Sequence, residues 1–291
     1  PPRAAMKEEV TALLSRIEGA RHVVVRSVDA HVEVGVTIGR LRSAAIAVAV
    51  TGDGERNARQ GLTALLAALP VRRVIVAGVA GGLHPMLGQA ALVVCERVVA
   101  AAANGLLVVY RADAGLVEAA AKNSGARRGV AVTAVQIADT IAEKRRLLGV
   151  ATASAGATSS STAAVVDLES AAFAAVAENA GVPWVVLRAV SDTADEALPP
   201  LLNRSRDDGG AVQRGRVVVS LIGNPGALFP LLLLRQRVRA CAESLARAVE
   251  ITVSAMAAVD VAPGGAGPDL VAGANSAGGH PAASAPATGE V

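Results

Sequence analysis

Residues 182–196 read VPWVVLRAVSDTADE, an apolar run that ends abruptly in hydroxyls and carboxylates. VPWVVL has the unbroken apolar character of a strand buried on both faces. Ser191 and Asp192 follow closely on it. Open α/β sheets bind ligands outside the carboxyl ends of their strands, and a carboxyl group placed there can serve as a general acid. The same residue types also make N-caps and solvated turns. Asp195 and Glu196 fit that second role and open the next helix, which leaves Asp192 as the chemical candidate.

A second acidic pair lies upstream in VVDLESAA, where Asp167 and Glu169 flank Leu168. One carboxylate can cap the following helix. The other can take hydrogen bonds from a diol, because an ionised carboxylate offers acceptors only. Glu8 and Glu9 in AAMKEEV occupy the first turn of a short helix, where acidic residues ordinarily complement the dipole. Two glycine-rich stretches complete the set. In TGDGERNA, Gly52 and Gly54 stand between a strand and a helix, so backbone N–H groups can meet an anion or polar ligand. Asn57 occupies the place of the third glycine of a dinucleotide fingerprint, which argues against a nicotinamide cofactor. In AGVAGGL, Gly78, Gly81 and Gly82 form a turn after a buried strand. They allow the backbone to approach a ligand, or a helix to pack closely.

These groups need a scaffold, and the pattern supplies one. Strands are expected at 22–28, 31–39, 44–50, 72–83, 91–100, 106–110, 129–135, 163–168 and 182–190. Helices are expected at 7–18, 55–69, 115–124, 141–148, 169–180 and 231–257. The short link between the first two strands reads as an antiparallel hairpin. Strands alternating with helices give a single-domain α/β layered fold, with a central mixed β-sheet flanked by helices. That domain spans 1–258. Residues 151–162 read as a polar loop. Residues 259–291 are rich in Ala, Gly, Pro and Ser, and read as a disordered tail.

Composition excludes several function classes. The chain has 291 residues, 52% of them hydrophobic but only 1% aromatic, so Ala, Val and Leu must build the core and aromatic stacking is scarce. The net charge of +3 is spread along the chain without a basic stripe, so a nucleic-acid partner is not expected. His22, His31, His84 and His280 lack metal-ligand spacing, and Cys95 and Cys241 form no zinc motif; no metal and no cofactor are expected. No phosphate-binding P-loop and no Gly-x-Ser-x-Gly elbow occur. With no secretory signal, the two thiols read as free and the compartment as the cytoplasm. Residues 217–234 are apolar but broken by Asn224, Pro225, Gly226 and Pro230, which argues against a spanning helix. With Arg235, Arg237 and Arg239 behind it, the stretch 217–239 can pack on the core or rest on an anionic membrane surface.

Taken in order, AMKEEV, TGDGERNA, AGVAGGL, DTIAEK, VVDLESAA and RAVSDTADE resemble the purine nucleoside phosphorylase/nucleosidase superfamily. The pattern is nearest that of methylthioadenosine/S-adenosylhomocysteine nucleosidases over residues 5–195. The later apolar run and Arg-rich helix look more like the hopanoid-associated (adenosylhopane) branch. The resemblance implies that Asp192 protonates the purine and that Ser191 holds its carboxylate. It implies that Glu169 binds the ribose hydroxyls beside an apolar wall at Leu168, and that Glu8 activates the attacking water. Gly54, Gly81 and Gly82 then approach the ribose and nucleophile, and Asp139, Thr140 and Ile141 line the base. Members of this family are commonly dimers, so a homo-oligomer is expected.

The resemblance has departures. Phosphate-using members place an Arg just before the Gly-rich turn, where this chain has Val76; Arg72 and Arg73 lie further back. Val79 stands where many nucleosidases have Ser, and no aromatic residue occupies 139–141. The family's first strand would precede AMKEEV, where only PPRA stands, so a central strand is expected to be missing. The expected activity is hydrolysis of an adenosine-type nucleoside, adenosylhopane among the candidates. A phosphate-dependent phosphorylase and a catalytically degenerate nucleoside-binding protein are the alternatives.

Overall fold

A computed structural model describes residues 6–27, 32–101, 106–155, 163–200, 203, 228–259 and 269–273. It gives only the backbone at 6–9, 101, 155, 228–235, 258–259 and 269. The helices are α1 (Met6–Leu14), α2 (Glu55–Ala68), α3 (Ala114–Ala121), α4 (Ile141–Ala155), α5 (Ser170–Asn179) and α6 (Leu228–Val259). The strands are β1 (Glu18–Ser27), β2 (Val32–Leu41), β3 (Ala44–Val50), β4 (Arg73–Gly82), β5 (Leu92–Ala101), β6 (Leu107–Arg111), β7 (Arg127–Thr133), β8 (Ala163–Asp167), β9 (Trp184–Asp192) and β10 (Asp269–Gly273).

The strands form one mixed sheet in the order β1-β2-β3-β10-β4-β8-β7-β5-β6, and β9 pairs with both β4 and β5. β4, β9, β5, β7 and β8 therefore close on themselves, and β10, β3, β2 and β1 extend from β4 as an open arm. The mixed α/β architecture follows the alternating pattern, and β1 and β2 make the expected antiparallel pair. One apolar layer lies under α2 and α5. A second is shared with α1, α3 and α6, and a third lies under α4. With so few aromatics, close approach depends on small side chains. α5 shows this: Ser170 to Ala177 are all buried, and five of those eight residues are alanine.

The structure revises several local expectations. The helix expected at 7–18 stops at Leu14 and Glu18 already opens β1; Asp195 and Glu196 open no helix, because the chain turns after β9. The tail reading of 259–291 fails at 269–273, because DLVAG is a strand. β10 lies parallel between β3 and β4, with Leu270, Val271 and Ala272 buried. Composition averaged over 33 residues hides this short apolar core, and two neighbouring strands satisfy the backbone that would otherwise stay in water. The expected gap in the sheet centre is likewise absent: β3 and β4 both pair with β10. Gly78, Gly81 and Gly82 belong to β4 rather than to a turn. α4 continues through 151–155, which the polar composition had assigned to a loop.

β10 also anchors functional backbone. Gly273 O accepts hydrogen bonds from Thr51 N at 3.1 Å and Thr51 Oγ1 at 3.3 Å, just before the Gly52–Gly54 turn. A Cβ on Gly273 would stand 2.7 Å from Ala77 O, so only glycine lets the strand end so close to β4. Leu270→Ala should therefore destabilise the fold by about 2–4 kcal/mol in urea unfolding. A change under 1 kcal/mol would mean that β10 is not held in the sheet.

A polar clamp fixes α6. Arg16 at the end of α1 and Arg42 in the β2–β3 turn donate to Glu250 at 2.7 and 2.5 Å. The Arg16 hydrogen bond holds the Glu250 carboxyl below the usual glutamate range, against an opposing effect of burial, and Arg42 adds to the lowering. The clamp's stabilisation is thus present above the ordinary glutamate value of about 4.3 and is lost as pH falls through the depressed one. Glu250→Gln should cost about 1 kcal/mol at pH 7, and the difference from wild type should shrink toward zero in acid unfolding titrations.

Candidate active site

The two carboxylates of VVDLESAA have separate jobs. Asp167 closes β8 and caps α5: its Oδ1 accepts from Ser170 N at 3.1 Å and from Thr133 Oγ1 at 3.0 Å. Arg188 of β9, itself buried, donates from Nε to Asp167 Oδ2 at 2.8 Å and from an Nη to Ser170 Oγ at 2.8 Å. Ser170 Oγ also donates to Asp167 Oδ2. Asp167 is therefore the cap and ion-pair partner. Glu169, also buried, turns the other way, and its Oε1 accepts from Gly54 N at 2.9 Å. This contact joins the TGDG turn to the start of α5. Gly54 has φ 87° and ψ 156°, a conformation that favours glycine, and caps α2 without a side chain. Leu168 is buried between the two acids.

Asp192 is the last residue of β9 and is 3% exposed. Ser191 Oγ donates to its Oδ1 at 2.6 Å. β4 brings this end of β9 beside β8. Gly81 pairs with Asp192 on one side and with Val166 on the other. A Cβ on Gly81 would stand 3.1 Å from Asp192 Oδ2 and 3.1 Å from Val166 Cγ1. On Gly82 it would stand 3.1 Å from Val190 Cγ1. The glycines thus admit close strand packing, and that packing places Asp192 one strand away from the β8 end that leads into Glu169. Val79 packs toward the layer that contains α1.

The base-lining expectation for 139–141 meets residues with local structural work. Thr140 Oγ1 accepts from Glu143 N at 3.2 Å and begins α4. Glu143 binds Arg146, which holds its carboxyl below the usual range. Asp139 accepts from Asn203 Nδ2 at 2.9 Å, and Leu198 N donates to Asp139 O at 2.9 Å. Ile141 is the first residue of α4. The contribution that the sequence reading missed comes one turn later. Lys144, with no exposed surface, donates from Nζ to Asp192 Oδ2 at 2.5 Å. The signal was present in DTIAEK: the lysine lies four residues after the Thr cap, on the buried face of the helix. Glu8 lies in α1, but its side chain is outside the described residues.

Other chemistries find little support. Cys95 and Cys241 are buried and form no disulfide. Burial pushes the Cys95 thiol up, away from the range of a reactive thiolate. No cluster of three or more His, Cys, Asp or Glu able to hold a metal lies among the described residues. No helix among them is long and apolar enough to cross a membrane.

The paired acids at the ends of β8 and β9, and the glycine turn that meets Glu169, coincide with a match over residues 4–219 to the Phosphorylase superfamily. The chain belongs to that family. It is accordingly an enzyme. It is 32% identical over 206 residues to a 5'-methylthioadenosine/S-adenosylhomocysteine nucleosidase of Geobacillus kaustophilus, covering 66% of this chain and 83% of that protein. The homologous nucleosidase of Geobacillus thermodenitrificans is 31% identical over the same length. Among solved structures, the 5'-methylthioadenosine/S-adenosylhomocysteine nucleosidase of Helicobacter pylori aligns with a TM-score of 0.63 at 20% identity, covering 86% of this chain and 95% of that one. The Helicobacter pylori futalosine hydrolase gives the same TM-score and identity, covering 86% and 94%. These structural likenesses support the family's fold.

Arg188→Met should strand the Asp167 carboxylate in the core and cost about 3–5 kcal/mol in chemical denaturation. If it costs less than 1 kcal/mol, the Asp167–Arg188 pair does not support this end of the sheet.

Proposed function

We propose that the chain hydrolyses the N-glycosidic bond of an adenine-type nucleoside. The observation that carries this reading is the register of β4, in which Gly81 pairs with Asp192 on one side and with Val166, three residues before Glu169, on the other, while Gly54 N binds Glu169. Cleavage breaks the bond between C1′ of the ribose and the base, leaving positive charge on the sugar and negative charge on the base. Asp192 donates a proton to the leaving purine. Glu169, with one oxygen oriented by Gly54 N–H, accepts from the ribose hydroxyls through its remaining lone pairs. Water adds to C1′ and gives its proton to an acidic residue at the start of α1.

That acid is Glu8 by motif. Glu9 is the adjacent carboxylate in α1.

Water rather than phosphate is the proposed nucleophile. Val76 is fully buried in the core layer. Arg72 and Arg73 stand at the opposite end of β4, about 26–30 Å from Gly81 at 3.3 Å per residue. The cations nearest the acids, Lys144 and Arg188, are already bound to Asp192 and Asp167.

We further propose an apolar group on the ribose 5′ carbon, with adenosylhopane as the specific case. The apolar stretch 217–234 ahead of the arginines supports this, whereas the apolar cleft lined by Val10, Leu13, Val48, Ala77, Leu245 and Val271 is too small as it stands to hold such a group. The cleft lies beside the carboxyl ends of β3 and β10, the side that carries the Gly52–Gly54 turn. Peripheral membrane contact through 217–239 stays part of the proposal, although 217–227 lie outside the described residues. α6 itself is tied to the site side, since Arg237 binds the Glu196 side chain. A homo-oligomer is supported by Leu106, Leu107 and Val109, exposed apolar residues at edge strand β6.

Free adenine should appear when the protein meets methylthioadenosine or adenosylhopane, at equal rates with and without phosphate. Strict phosphate dependence would replace hydrolysis by phosphorolysis, and no release from any nucleoside would end the enzymatic assignment to this substrate class. Asp192→Asn should lower kcat by at least about 100-fold, in line with the usual worth of a general acid. Near wild-type turnover in that variant would remove Asp192 from the role. Glu8→Gln and Glu9→Gln, assayed side by side, should single out the water-activating residue by a similar loss in one of them.

A further inference from the structure

Lys144 is a buried side chain that touches the proposed acid and has no part in the mechanism above. Its Nζ donates to Asp192 Oδ2 at 2.5 Å, Thr193 O at 2.6 Å and Glu196 O at 2.8 Å. An ammonium has three N–H donors and no acceptor, so all three are matched. Two of the acceptors are backbone carbonyls of the segment that follows β9. Three acceptors thus converge on one Nζ, and one of them is a carboxyl oxygen of the proposed acid.

We propose that Lys144 is a positioning residue for the acid: it fixes the Asp192 carboxyl at the end of β9 and compensates the carboxylate that appears when the proton leaves for the base. This rests on the nucleosidase reading and deepens it. A buried carboxylate without a partner is costly to create. With the Lys144 ammonium at Oδ2 and Ser191 Oγ at Oδ1, the charge formed by proton donation is met on both oxygens without rearrangement. Such preorganisation acts in the transition state, where the charge develops, more than on the bound substrate. α4 exists in the right place for this because the Thr140 cap starts it and Leu147 and Ala151 pack it onto the sheet.

The neighbouring charges leave this task to Lys144. On β8 and β9, Asp167 and Arg188 bind each other. At the start of α5, Glu169 binds Gly54 N. The Glu196 side chain binds Arg237 of α6. On α4, Glu143 pairs with Arg146, and Arg145 is exposed. On β4, the glycines beside Asp192 carry no charge.

Lys144→Met and Lys144→Arg test the proposal, with folding followed by circular dichroism. In adenine release, Lys144→Met should lower kcat by at least about 10-fold with KM changed less than about 3-fold. Its alkaline limb in the pH–rate profile should move to higher pH, because a carboxyl without its cation keeps its proton longer. Lys144→Arg should recover part of kcat and return the limb toward wild type. A uniform loss with an unmoved limb, or full activity in Lys144→Met, would overturn the proposal.

A second readout needs no turnover. With 13C-labelled Asp carboxyls, the Asp192 resonance, assigned through Asp192→Asn, should titrate at higher pH in Lys144→Met than in wild type. Identical titrations would overturn the pairing. A shifted titration in a protein that releases no adenine would instead place the failure in the nucleosidase reading. Should Lys144→Met fail to fold, the same titration in Lys144→Gln or Lys144→Arg against wild type decides the matter.

Discussion

The site depends on the meeting of β4 with β9 at Gly81 and Asp192. Two strands pack closely enough there that a single methyl group would press on the Asp192 carboxylate. The same glycine contacts Val166 of β8, so one residue sets the spacing between the strand that ends in Asp192 and the strand that leads to Glu169. Everything else supports this junction. The buried Asp167–Arg188 pair ties the end of β8 to β9, and Lys144 of α4 binds Asp192.

Support reaches further, through backbone rather than side chains. β10 holds Thr51, Thr51 precedes the glycine turn, and Gly54 of that turn grips Glu169. A strand drawn from near the C-terminus therefore stands two contacts away from the proposed sugar-binding carboxylate. Because β10 fills the centre of the sheet arm, its burial couples the global stability of the fold to the geometry of the TGDG turn.

A division of labour runs through the acidic residues. Those with arginine partners, Asp167, Glu143, Glu196 and Glu250, hold elements together. Glu169 meets the Gly54 N–H at the start of α5, and Asp192 meets the Ser191 hydroxyl and Lys144 at the end of β9. The arginine fork binds a carboxylate on two sides and leaves little of it for chemistry. A single N–H or hydroxyl orients a carboxylate and still leaves lone pairs to use.

The sequence by itself determined the α/β class and most strand and helix positions, which follow from the alternation of apolar runs with polar and glycine-rich breaks. It offered Asp192, Ser191, Glu169 and Gly54 as separate candidates, which only the family resemblance grouped into one proposed site. It also left the two roles in VVDLESAA open, because capping and diol binding call for the same residue type. Only the tertiary structure assigned the cap to Asp167, by bringing Arg188 and Thr133 to it from other strands. Only it placed Lys144 on Asp192 across 48 residues of sequence, and only it set 269–273 into the centre of the sheet. Such contacts join residues far apart along the chain, and nothing in the local pattern of either partner encodes the distance between them.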